Sequence, residues 1–159
     1  LSKTSKIGTY FVQATSPAVI MSYSELLFLK AEAAYKGVTL AGDPAKLYGD
    51  AINASFAQYK LTPSADFLKT IAYKTGTEGY KQIIEQKWLA LFGQGIEAWT
   101  EQRRTGIPAL SAPKINFNDN VIPTRLPYPS SEENLNGANM QKALNGAKND
   151  KKMKMWWML

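Results

Sequence analysis

The 159-residue chain contains no cysteine and no histidine. Without cysteine there is no disulfide, no thiolate nucleophile and no sulfur-held metal. Without histidine there is no imidazole base, no Ser-His-Asp triad within the chain and almost no zinc chemistry. Neither a metal nor a cofactor is expected. The chain also lacks an apolar run long enough to span a bilayer, a secretory leader and an initiator methionine, so Leu1 reads as an internal residue of a longer protein.

What is present is ordinary globular material with a basic excess. Hydrophobic residues make up 45%, sufficient for a core, and 19 basic against 13 acidic side chains give a formal charge of +6. Much of the excess lies at Lys142, Lys148, Lys151, Lys152 and Lys154. A basic tail can bind nucleic acid or anionic membrane, but this one has no arginine and no recognisable nucleic-acid motif. It reads as a solvated terminus, and no nucleic-acid partner is expected.

The first two-thirds of the chain reads as helix, short loop, helix. Ser22 and Glu25 form an S-x-x-E capping box ahead of a helix that ends at Gly37. Its Leu26, Leu27, Phe28, Leu29 and alanines predict burial on most sides. Asp43 followed by Pro44 starts a second helix, running to about Tyr59, and Ser64 precedes a third. A fourth begins near Thr77 and runs to Arg104, with Trp88, Leu91, Phe92 and Trp99 on one stripe; both indoles are expected to be buried. Arg103 and Arg104 suit the negative end of that helix, Gly106 its cap, and Pro108 forbids continuation. Gly93 and Gly95, inside it, read as close-packing positions against the alanine-rich first helix. After Pro108 the pattern changes to a proline-rich loop region with a short hairpin around 117–121, then a short helix at 138–144 and an aromatic tail.

Three blocks carry a family resemblance: MSYSELLFLKAEAAYKG from Met21, QKWLALFGQGIEAWTEQRRTGIPAL from Gln86, and IPTRLPYPSSEENLN from Ile122. In that order they resemble the C-terminal region of SusD/RagB-type nutrient-binding outer-membrane lipoproteins. The resemblance implies an all-α fold of tetratricopeptide-like helical hairpins with long ordered loops. It makes residues 1–159 the C-terminal portion of a single SusD-like domain, with a helical core at about 22–104, a proline-rich loop region at 107–136 and a short helix and tail at 137–159. It further implies a cell-surface, Gram-negative outer-membrane protein that captures oligosaccharide or another nutrient for a SusC-type TonB-dependent transporter. Such a protein touches the membrane only through an upstream lipid anchor and is not an enzyme. A tetratricopeptide-like protein-interaction scaffold and, less favoured, a glycoside hydrolase stay open as alternatives.

Individual residues sharpen those alternatives. Glu25 and Glu32 share a helix face, but seven residues at about 1.5 Å each put their backbones roughly 10 Å apart, wide for a glycosidase pair. They read instead as buried carboxylates paired with bases such as Arg103, Arg104 or Arg125. Arg125 and Tyr128, in the IP-x-R-x-x-YP core, read as elements that fix the proline-rich loop. The local candidate for sugar binding is Asn116, Phe117, Asn118, Asp119 and Asn120, one aromatic platform among amides and a carboxylate. The plainer alternative is an Asx-rich turn whose side chains bond their own backbone.

Overall fold

Local capping signals decide where the helices begin in the computed structural model, which describes residues 4–158. Among those residues all regular structure is helical. There are α1 (Tyr23–Tyr35), α2 (Pro44–Gln58), α3 (Ala65–Thr70), α4 (Gly76–Ala90), α5 (Gly95–Thr105) and α6 (Ser130–Ala143), plus single 3-10 turns at Thr9–Phe11 and Thr39–Ala41. The protein is all-α, as its sequence predicts. Leu1–Gln102 and Arg103–Leu159 form two compact units.

In the first unit, Ser22 Oγ accepts from the Glu25 N–H at 3.0 Å, and Asp43 Oδ2 accepts from the Lys46 N–H at 2.8 Å with Pro44 opening α2. Each cap satisfies an N–H that the helix itself leaves without a partner. Both helices close with the paired bonds of a Schellman motif. Val38 and Gly37 donate to Ala33 and Ala34, and Leu61 and Lys60 donate to Phe56 and Ala57. Gly37 takes φ +87°, but α2 places Lys60 in the same left-handed region at φ +59°. The two helices run antiparallel: Ser24 Oγ donates to Ala51 O at 2.9 Å, and Phe28 meets Tyr48 edge-on one turn further along. Ala31 and Ala51 are fully buried, the small side chains letting the backbones close. α4 packs on this hairpin through Ile83 and Ile84, and Tyr35 of α1 stacks on Tyr80 of α4 at 5.1 Å.

Four expectations are corrected here. α1 is not buried on most sides: Leu26, Leu29 and Tyr23 are exposed while Ser24, Leu27, Phe28 and Ala31 face inward. The fourth helix is not continuous. Leu91 caps α4, Gly93 turns left-handed at φ +87°, and the chain re-enters helix at Gly95. Gly93 is thus a helix stop, and Gly95 has open space where a Cβ would stand, so neither glycine serves close packing on α1. The buried stripe of α4 is also rotated from the predicted one. It runs through Ile83, Ile84, Lys87 and Leu91, so Trp88 and Trp99 are half-buried rather than sealed in the core, and Phe92 is exposed.

In the second unit, α6 begins at Ser130, inside the stretch read as loop, with Glu132 and Glu133 in its first turn where the helix dipole favours them. Asn136 departs from helical geometry (φ −139°, ψ 27°) and divides it, so the helix predicted at 138–144 is its second half. No strand flanks the turn at 118–121, so the predicted hairpin is a turn alone.

The Gly93 corner generates a contrast. Gly93→Ala places a Cβ 3.2 Å from Phe11 on a left-handed backbone and is expected to cost about 1–2 kcal/mol. Gly95→Ala is expected to be neutral or stabilising by up to about 1 kcal/mol. Urea unfolding of the two variants measures the difference.

Candidate functional site

The strongest electrostatic feature of the first unit was not anticipated from sequence. Lys87 Nζ of α4 lies 3.0 Å from Glu101 Oε2 of α5, and each side chain is only 6% exposed. Glu25 of α1 is also buried, and its Oε2 has no hydrogen-bond partner. Burial pushes the Glu25 carboxyl above the usual carboxylate range. The Lys87 ammonium and the Ser22 backbone N–H oppose that rise, while Glu97 and Glu101 add to it. Glu25 therefore faces a lysine, not the arginine expected. Glu32 accepts from Tyr80 Oη at 3.3 Å and pairs with Lys36 at 2.9 Å. Both carboxylates are inward on α1, as their spacing predicts, but they face separate neighbours. The clue to the first centre was legible: Lys87 stands four residues after Ile83 and four before Leu91, at a core position of its stripe.

The loop 116–120 is a turn built from its own side chains. Asp119 and Asn120 take φ +51° and +60°, the pair of left-handed residues that a type I′ turn requires, and Val121 N donates to Asn118 O at 3.0 Å. Asn116 Oδ1 accepts from the N–H groups of Asn118 and Asn120, and its Nδ2 donates to Pro113 O and to Asn120 Oδ1. That saturates the amide. Asn118 Nδ2 donates to Val121 O at 2.8 Å. The Asx-turn alternative thus describes the amides, while the Phe117 ring stands fully in solvent. Asp119 bonds Lys152 Nζ, which together with Lys148 holds its carboxyl below the usual range.

Further contacts pin the tail to the proline-rich segment. Thr124 N and Oγ1 donate to Lys151 O at 2.8 and 3.0 Å, and Oγ1 also reaches Met153 O. Asn149 exchanges two hydrogen bonds with the Tyr128 backbone. Arg103 donates to Thr124 O at 2.9 Å and lies 4.9 Å from the Trp157 ring centre. Arg125 donates from Nε to Leu126 O and stacks 4.9 Å from Tyr128, so its contacts brace the segment from within; its buried Nη1 has no hydrogen-bond partner. Arg104 occupies the last turn of α5, where its charge favours the helix end.

A concave surface went unseen in the sequence because three separate segments build it. It is a cleft of about 690 Å³ between Tyr10, Val19 and Tyr23 on one side and Asn53, Ala54 and Gln58 of α2 on the other. Its lining is largely apolar with a few amides, the composition of a small-ligand cleft. Among the described residues, no cluster of side chains suited to a metal is present and no helix is long and apolar enough to cross a membrane.

Comparison with known proteins places this geometry. Residues 1–129 match the SusD-like family profile described as "Starch-binding associating with outer membrane". Among solved structures, one named "Bacteroidetes AC2a SusD-like" superposes with a TM-score of 0.84 at 29% identity, covering 97% of this chain and 33% of that one. A protein named as chitin-binding gives 0.80 at 34% identity, over 96% of this chain and 36% of the other. A chitin-binding SusD homologue from Flavobacterium johnsoniae gives 0.74 at 26%, over 87% and 36%. The chain thus spans about a third of the length of these relatives. No curated protein sequence matches it.

The buried centre gives a pH-dependent expectation. A carboxyl whose folded pKa is raised binds its proton more tightly in the folded state, so it loses stability for the protein as pH rises from about 4.5 through the raised value. Glu25→Gln removes that loss. The variant is expected to melt above wild type at pH 7, with the gap narrowing towards pH 4, in thermal unfolding followed by circular dichroism.

Proposed function

The chain belongs to the SusD-like family, and on that premise we propose that it is part of a surface-exposed outer-membrane lipoprotein that captures glycans for a SusC-type TonB-dependent transporter. The observation that carries this reading is the family match over residues 1–129, whose description joins starch binding to the outer membrane. Relatives named as chitin-binding add support for a glycan ligand. We read its role as binding rather than hydrolysis, supported by the two carboxylates considered for catalysis: Glu32 is engaged by Lys36 and Tyr80, and Glu25 stands beside Lys87. The helical scaffold holds the loops, and the lipid anchor belongs to sequence outside these residues.

Within this segment the capture site is the loop Asn116 to Asn120, with Phe117 as platform. The ring is carried on a turn whose amides bond internally, so little backbone entropy remains to be lost when a sugar stacks on it. Covering one face of the ring, roughly 60 Å² at about 25 cal/mol per Å², is worth about 1.5 kcal/mol, close to a tenfold change in affinity. Single-site affinity is accordingly weak, on the order of micromolar to millimolar, and repeated units along a polymer supply avidity.

The test is calorimetric titration of the full-length protein with a panel of neutral and acidic oligosaccharides. Binding of at least one, weakened about tenfold by Phe117→Ala with the fold intact, is expected. Equal affinity of the variant would move the site out of this loop, and binding of none would overturn the glycan reading.

A further inference from the structure

The turn at 116–120 spends its amides on itself, which leaves a question of what recognises the rest of a sugar stacked on Phe117. Asn116 is saturated, and Asn118 and Asn120 each give one group to the turn. Besides Asn118 Oδ1 and Asn120 Nδ2, the polar groups brought to the turn are ammonium ions. Lys152 is fixed to Asp119 in the turn itself. Lys148 is near enough to pull on the same carboxylate. Lys114 is exposed and immediately follows Pro113, whose carbonyl is bonded by Asn116. The lysine-rich segment is not free to drift: Thr124 holds the carbonyls of Lys151 and Met153, and Asp150 Oδ1 accepts from the Lys152 N–H at 2.8 Å. Lys152 is thus fixed to the turn that carries Phe117 by an ion pair, and its segment by hydrogen bonds, while Lys114 stands three residues before the ring in sequence.

Charge balance points the same way. Residues 103–159 hold nine basic against four acidic side chains, whereas residues 1–102 hold ten against nine. Nearly all of the chain's net charge therefore lies in the unit that carries Phe117. An ammonium is a poor match for a lone hydroxyl but bonds strongly to a carboxylate or sulfate, with a charge-assisted contact roughly twice as strong as a neutral one. A flat ring on a turn that holds one lysine, in the basic unit of the chain, suits a sugar with one apolar face and an anionic substituent.

We infer that the Phe117 loop and the Lys148–Lys152 segment together form a subsite for acidic glycans, polymers bearing uronate or sulfate groups, in preference to neutral ones. The inference rests on the reading of Phe117 as a glycan platform and adds the chemical class of its ligand. The aromatic ring supplies contact common to all sugars, and the lysines supply the discrimination. That discrimination is electrostatic and at the surface, so it is screened by salt over a Debye length of about 8–10 Å at physiological ionic strength.

The experiment titrates the full-length protein with oligogalacturonate and with a chito-oligosaccharide of equal length, in low salt and in 0.5 M sodium chloride. Wild type is expected to bind oligogalacturonate about tenfold tighter in low salt, and the preference is expected to collapse in high salt. Lys114→Gln/Lys148→Gln, two side chains that make no ion pair within the protein's described residues, is expected to lower oligogalacturonate affinity several-fold and leave the chito-oligosaccharide unchanged. Phe117→Ala is expected to weaken both. If the neutral sugar binds equally well or better through Phe117, the acidic-glycan inference falls and the platform reading stands. If Phe117→Ala changes neither, the platform reading itself falls. Binding to anionic phospholipid vesicles as tight as to oligogalacturonate and indifferent to Phe117→Ala would mean charge adsorption alone, and would also overturn the inference.

Discussion

The corner between α4 and α5 depends on one buried ion pair. Two charges taken out of water each lose several kcal/mol of hydration, and only close approach recovers that loss. Lys87 and Glu101 satisfy the condition at 3.0 Å with both side chains almost wholly covered. In α5 Glu101 is buried and Trp99 half-buried, while Ile96 lies mostly in solvent. The pair thus joins the half-buried Trp99 in tying α5 to the first unit's core, and it spans the left-handed Gly93 turn between the two helices. Glu25 leans on the same lysine with one oxygen lacking a hydrogen-bond partner, which makes the centre costly as well as specific.

Helix starts and stops were legible in the sequence because they obey local rules. Ser22, Asp43 with Pro44, and Ser64 each cap as their residue types predict, since a short oxygen-bearing side chain satisfies an N–H within its own turn. The break at Gly93 was not legible. A glycine inside a periodic pattern marks either close packing or a left-handed stop, and the apolar spacing continues past the break well enough to hide it. The rotation of the α4 stripe followed from the same bias, which weights tryptophans as core and a lysine as surface. The unit of residues 103–159 was hardest to read. Its α6 begins on serines and glutamates, and its tail is held by side chain to backbone bonds between residues more than twenty positions apart.

For the candidate loop, the sequence offered two readings, a sugar platform and an Asx-rich turn bonding its own backbone. Composition gave an aromatic among asparagines; only geometry separates amides that point at a ligand from amides that close a turn. Here most of them close the turn, and the proposed reading accordingly shifts recognition from hydroxyl bonding towards the ring and the nearby lysine charge. A shallow site of that kind suits the proposed capture role, in which many weak contacts along a polymer matter more than one tight one.

The most direct measurement of the central claim is a double-mutant cycle on the Lys87–Glu101 pair. Each single change, Lys87→Met or Glu101→Leu, breaks the buried pair, the second leaving Lys87 facing Glu25 instead, and should cost about 3–5 kcal/mol. The double change removes both charges and should recover most of that loss, giving a coupling of several kcal/mol between the two positions. Single variants that each cost under about 1 kcal/mol, with effects that simply add, would contradict the account.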